Sequence, residues 1–175
     1  MFRIALERPQ DVAPREALLD QAFGADRHNR TVYRLREGIA PVQALSHVAL
    51  IDGEFAGSLR FWPIEVDGAK KPILLGPLAV SPERRGQAIG IALVRNGLRA
   101  ARKHGHDIVL VVGDPPYYQR FGFLPSGSWN LTLPGPVDAA RFQIRHLGRG
   151  KPPKAISGLV RRAEAFAVAG RRQGD

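Results

Sequence analysis

Apolar and polar residues alternate in "FRIALER" near the start of the chain, the two-residue period of a strand with one covered face. Pro9-Gln10-Asp11 ends that run and offers Asp11 as a helix N-cap. From Val12 to Phe23 the apolar positions, Ala17, Leu18 and Phe23 among them, fall at helical spacing, and Gly24 stops the pattern. A second short helix is expected over residues 28–36, closed by Gly38. Next, "HVALIDGEFAGSLRFWPIEV" is two apolar runs joined by Asp52-Gly53, a dipeptide favoured where both central turn residues need positive φ. The pattern predicts a hairpin.

"KPILLGPLAV" is a continuous apolar run, as in a strand covered on both faces, interrupted by Gly76-Pro77. Proline cannot donate to a sheet ladder, so Pro77 predicts a bulge, and beyond it a strand that splays from one neighbour. Ile89, Leu93, Val94 and Leu98 form one stripe of a long helix over residues 89–103, ending near Gly105. "DIVLVVG" is the next buried strand. Strand, glycine-rich turn, helix and strand make a βαβ unit with parallel strands. "DPPYYQRFGF" reads as a proline-entered short helix stopped by Gly122, followed by strands in "WNLTL" and "RFQIRHL" on either side of the turn-rich "PGPVD". Ile156, Leu159, Val160, Ala163, Phe166 and Ala167 suggest a terminal amphipathic helix, with "GRRQGD" as a frayed tail. The chain shows no repeat and no dividing linker, so a single domain is expected over its 175 residues.

Composition narrows the chemistry. Cysteine is absent, which removes disulfides, a thiolate nucleophile and cysteine-bound zinc, and agrees with a reducing cytoplasm. The first residues are charged by Arg3, unlike a signal peptide, and no apolar run has the length of a membrane span. The net charge is +10, yet the arginines are dispersed, with no aromatic-interleaved basic stripe, so no nucleic-acid role is expected. The five histidines share no metal-ligand spacing; His104 and His106, near a helix end, suit dipole compensation better than a metal pair. No metal is implied.

The stretch "SPERRGQAIGIALV" places arginines and glycines at a helix start, where free N–H groups and the helix dipole favour an anion such as phosphate. Gly86-x-x-x-Gly90 lacks the dinucleotide-fold spacing, and no Gly-Lys-Ser/Thr follows to make a nucleotide-hydrolysing loop. With the strand before it, "LAVSPERRGQAIGIALV" resembles the acetyl-CoA motif of the GNAT superfamily of N-acetyltransferases, here Arg85-Gly86-Gln87-Ala88-Ile89-Gly90, and "YYQRFGF" resembles that family's Tyr-x-x-x-Gly-Phe element. Ala88 stands where the family usually has its middle glycine, and "VVGDPP" departs from the asparagine often found before the tyrosine. The resemblance implies an α/β (α+β) fold with a mixed central sheet, splayed parallel strands and flanking helices.

It also implies acetyl-CoA as co-substrate and an amine-bearing acceptor. Leu78, Ala79, Val80, Arg85, Gly86, Gln87, Ala88, Ile89 and Gly90 are then the cofactor-binding positions, with Leu78 and Val80 pairing the pantetheine arm as a strand would. Tyr118 is the candidate acid toward the CoA sulfur, with Tyr117 as the fallback, and a central-strand N–H near Val80 the oxyanion donor. No general base stands out. The arginine-rich "RHNRTVYRLREG" is read as an ordinary exposed helix rather than an acceptor-facing one. A non-catalytic acyl-CoA-binding module is the rival function, and the terminal helix with "RFQIRHL" offers a homodimer surface.

Overall fold

The computed structural model describes residues 1–168, so the expected tail "GRRQGD" lies outside the described residues. In chain order the strands are β1 (Phe2–Leu6), β2 (His47–Ile51), β3 (Glu54–Asp67), β4 (Ile73–Val80), β5 (Ile108–Val112), β6 (Leu124–Pro125), β7 (Leu131–Thr132), β8 (Phe142–His146) and β9 (Ser157–Arg162). The helices are α1 (Val12–Phe23), α2 (Thr31–Arg36), α3 (Ile89–Lys103) and α4 (Pro115–Gln119). One mixed sheet runs in the order β1-β2-β3-β4-β5-β8-β6; β9 joins it through β3 and carries β7. Helices flank this sheet, as the sequence predicts.

The hairpin turns at Asp52 and Gly53, whose φ values of 51° and 86° are the left-handed pair its sequence requires. Along the centre of the sheet, Ile73, Leu75, Val109 and Val111 face the core shared with α3, while Leu74, Ile108 and Leu110 face the opposite core. α3 buries Ile89, Leu93, Val94, Gly97 and Ala101 on one stripe. At Gly97 its backbone comes so near β3 that a Cβ would stand 2.6 Å from Phe61 Cε2.

The bulge expected at Pro77 is present. Leu59 pairs with Leu78 and Phe61 with Leu75, so Arg60 alone on β3 stands opposite Gly76 and Pro77. One extra residue reverses the alternation: beyond it Leu78 and Val80 pack toward the α3 side, and Ala79 turns to Leu18 and Leu19 of α1. β4 and β5 are parallel and paired only at Ile73–Val109 and Leu74–Leu110; past those residues they separate.

Several expectations need correction. No terminal α-helix forms among the described residues: residues 157–162 are β9, antiparallel to the end of β3, and the six proposed stripe residues split between buried Ile156, Val160 and Ala163 and exposed Leu159, Phe166 and Ala167. The long hairpin strand outruns β4 and leaves Ile64–Asp67 needing a partner, a demand no local periodicity reveals. The dimer surface expected from that helix loses its helix. "WNLTL" gives only the two-residue β7 after a 3-10 turn, and the helix expected from residue 28 begins at Thr31, after a separate 3-10 turn. Asp11 does not cap α1; its carboxylate takes the Arg8 N–H at 2.8 Å and the Arg8 guanidinium. His106 is buried with Nδ1 3.1 Å from the Lys71 carbonyl, a packed ring rather than a compensating cation. Among the described residues, no helix is long and apolar enough to cross a membrane.

Candidate active site

The site begins where β4 runs into α3. Gly86 has φ +81° and Ala88 φ +59°, and this left-handed pair folds the backbone of residues 86–91 into a concave loop before the helix. The six N–H groups of Gly86, Gln87, Ala88, Ile89, Gly90 and Ile91 donate to no described acceptor; the first helical bond runs from Ala92 to the Ala88 carbonyl. Arg84 and Arg85 border the same depression from exposed positions. A row of free donors at the positive end of a fifteen-residue helix, beside two guanidinium groups, is an anion cradle. Ala88 is tolerated because its methyl is exposed, and a Cβ on Gly90 would stand 2.7 Å from the Tyr117 hydroxyl and displace it.

From the cradle a cleft leads between the splayed ends of β4 and β5. The Ser81 N–H donates to the Ala56 carbonyl of β3, which fixes the direction of alternate peptides. Ala79 therefore also faces β3, and Leu78 and Val80 present N–H and C=O toward the cleft. Ala79 is thus the one predicted strand residue turned away, in side chain and backbone alike. Ile89 contributes backbone only, its side chain being buried in the core.

Tyr118 stands at the inner end of this cleft. Asp114 starts α4 by accepting the Tyr117 N–H at 3.2 Å, and the turn directs the two tyrosines to different surroundings. Tyr118 is only 8% exposed, with Phe123 at 5.6 Å and Tyr117 at 5.1 Å between ring centroids. Burial, with the neighbouring Tyr117, pushes its pKa far up, so the phenol stays protonated at neutral pH. No described residue hydrogen-bonds its hydroxyl, although the residue lines the cleft. Tyr117 lines both cleft and cradle; burial raises its pKa too, and Arg120 lies 4.9 Å from its ring centroid. Glu83 is an exposed turn residue, and Asp114 is committed to its cap.

A second cavity, of about 360 Å³, adjoins the cleft across Pro77 under α1 and α2. The sequence reading of residues 27–38 as an exposed helix fails here, because Arg27 and Arg36 are buried at 3% and 8%. Arg27 pairs with Glu16 and Asp20 and donates to the Tyr33 hydroxyl at 2.9 Å. Arg15 and Arg60 share Glu7. Trp62 donates from Nε1 to the Gly76 carbonyl at 2.7 Å, holding the bulge in place. The only local sign of this arrangement is the density of arginine near "RTVYRLR"; the acidic partners come from α1 and from Glu7, just past the end of β1. Among the described residues, no three His, Asp or Glu side chains gather as a metal site.

A splayed parallel strand pair, a helix-start anion cradle and a tyrosine between them define an acyltransferase of the GNAT type. Residues 13–123 match the Acetyltransferase (GNAT) family, and the chain belongs to it. It is 33% identical over 165 residues to the uncharacterized N-acetyltransferase YhbS of Escherichia coli, covering 93% of this chain and 97% of that protein. The crystal structure of Escherichia coli YhbS in complex with CoA superposes with a TM-score of 0.75 at 31% identity, over 94% of this chain and 91% of the other. A GNAT family acetyltransferase from Brucella melitensis in complex with acetyl-CoA gives 0.66 at 32% identity, over 95% and 98%.

Proposed function

We propose that this protein transfers the acetyl group of acetyl-CoA to a primary amine by direct attack. The observation that carries this is the continuous path from six N–H groups at the start of α3, past the exposed peptide edge of Leu78 and Val80, to the hydroxyl of Tyr118, all without a partner among the described residues. The cradle suits a pyrophosphate: Gly86, Gln87, Ala88, Ile89 and Gly90 offer backbone donors, and Arg85 adds charge. The edge of β4 suits the amides of a pantetheine arm, which would pair with it as another strand.

In the transfer, the amine nitrogen forms a bond to the acetyl carbon, the carbon–sulfur bond breaks, and the nitrogen loses a proton to water. The Val80 N–H, turned into the cleft, supports the carbonyl oxygen as it gains charge. Tyr118 delivers its proton to the departing sulfur from a hydroxyl that burial keeps protonated at neutral pH, and the proton lost by the amine returns to it through water. An acyl-CoA-binding module without turnover has no use for such a hydroxyl, which favours an enzyme. We read the described chain as one catalytic domain, since a single sheet carries both walls of the cleft. A cytoplasmic site of action agrees with the co-substrate and with the absence of cysteine.

The test is calorimetry with acetyl-CoA, followed by thiol release over a panel of amines. Gly86→Glu puts a carboxylate into the cradle and is expected to abolish binding without unfolding the domain, as is Gly90→Glu. Gly86→Asn, which tolerates a positive φ and adds no charge, is expected to keep most of the affinity. Unchanged affinity in both glutamate variants would refute the cradle.

A further inference from the structure

Arg36 has a buried guanidinium with no anionic partner among the described residues. It is 8% exposed, its Nε is wholly buried without an acceptor, and no described carboxylate forms an ion pair with it. The other buried or half-buried arginines of this region are balanced: Arg15, Arg27 and Arg60 stand against Glu7, Glu16 and Asp20. Glu37 borders the same cavity from an exposed position and does not reach Arg36. Burying a charge without a partner is expensive, and a fold that does so beside a cavity has a use for the charge.

The surroundings are built to hold this group still. Its guanidinium carbon lies 4.7 Å from the Tyr33 ring centroid and 5.7 Å from that of Trp62. Each ring is itself anchored, Tyr33 by Arg27 and Trp62 by the Gly76 carbonyl. A Cβ on Gly76 would stand 3.0 Å from Arg36 Nη2, so the bulge of β4 and the guanidinium are in contact across a position that only glycine fills comfortably. Burial draws the Arg36 pKa down to about 10, partly offset by Tyr33, and the group remains a cation at neutral pH. Arg36 lines both the cleft that holds Tyr118 and the adjoining cavity.

We propose that Arg36 receives the carboxylate of the acceptor, and that the acceptor is a small primary amine of the amino-acid type with an apolar side chain. This rests on the acetyl-transfer reading and names the substrate class of that site. A planar guanidinium fork matches a carboxylate through two parallel bonds. Arg36 is the one buried guanidinium here without a described ion pair, and a single carboxylate neutralises it; Arg30, Arg34 and Arg141 border the two cavities from exposed positions. Cavities of about 360 and 280 Å³, lined by Leu19, Trp62 and Pro77 on one side and Leu78 and Val111 on the other, have the size and apolar character of small-molecule sites.

The experiment compares L-phenylalanine, L-leucine and L-methionine with their methyl esters and with phenethylamine, by thiol release at saturating acetyl-CoA. The free acids are expected to exceed the esters and phenethylamine by about 10²-fold or more in kcat/KM, as a site left with an unpaired buried charge rejects the neutral analogue. Arg36→Gln should bring the acids down to the level of the esters while the calorimetric affinity for acetyl-CoA is retained. Should Arg36→Gln fold poorly, the wild-type protein with CoA is titrated with N-acetyl-L-phenylalanine and its methyl ester, and the acid alone is expected to bind. Esters and acids used equally, or acids ignored by a protein that binds acetyl-CoA, would overturn this inference alone. Failure to bind acetyl-CoA would overturn the transferase reading and this one with it.

Discussion

Tyr117 and Tyr118 are adjacent in sequence and chemically identical, yet the start of α4 sends them to different tasks. Tyr118 is enclosed by aromatic rings and its hydroxyl is unbonded among the described residues; Tyr117 stands over Gly90 at the mouth of the cradle. Tyr118→Phe removes one oxygen and leaves the packing volume intact. It is expected to bind acetyl-CoA normally and to lose turnover by about 10²- to 10⁴-fold, the range for one positioned acid. Tyr117→Phe is expected to shift acetyl-CoA affinity severalfold and to leave turnover nearly unchanged, because its oxygen faces α3. Calorimetry and steady-state rates on both variants decide the matter: a reversed pattern moves the acid one residue back, and full turnover in both hands the proton to water. The sequence could single out Tyr118 by motif, but the environment that keeps it protonated comes from Phe121, Phe123 and the strand β5, which only the fold brings together.

At the scale of elements, the contact between α3 and β3 fixes where the cradle sits relative to the cleft. Gly97 permits it: a side chain there meets Phe61 Cε2 at 2.6 Å and Leu59 Cδ2 at 3.2 Å. Gly97→Leu is expected to destabilise the fold by about 1–3 kcal/mol through overpacking, despite the better helix propensity of leucine. Urea unfolding of the two proteins measures this; equal stability would mean that α3 can move off the sheet freely. The elements nearest this contact are legible in the sequence, because α1, β4, α3 and β5 each carry their own periodicity, with Gly24 and Gly105 closing the two helices. Even the bulge was legible, since proline excludes a regular ladder. What was not legible depended on partners distant along the chain. β9 reads as a helix in sequence because Ile156, Val160 and Ala163 also fit helical spacing, and only the unpaired end of β3 decides otherwise. Arg36 is silent in the sequence for the same reason: its rings come from α2 and β3, and its lack of a described carboxylate is a property of the whole pocket.

For the molecule as a whole, the net charge of +10 hides an interior whose charge balance depends on acids and on neutral imidazoles. Burial holds His47 and His106 below their ordinary pKa of 6.5, so both are neutral in the native protein. An unfolded chain takes up protons on these rings as soon as pH falls toward 6.5, and the native one resists. Stability is therefore full above that value and declines as pH drops below it, by at most about 1.4 kcal/mol per pH unit for each ring. Glu7 follows in a lower window. Burial raises its pKa, but the bonds and charges of Arg60 and Arg15 together outweigh this and hold it below 4.5. Its contribution is present above 4.5 and is lost as pH falls through the depressed native value, when Arg15 and Arg60 lose their shared carboxylate. Urea midpoints measured from pH 8 to pH 3 should thus show two declines, a shallow one starting near 6.5 and a steeper one below 4.5. A double variant, His47→Asn with His106→Asn, should lack the first decline and keep the second. A flat profile between pH 7 and pH 5 in the wild-type protein would mean that the two rings titrate alike in the folded and unfolded chains, and that their burial carries no proton linkage.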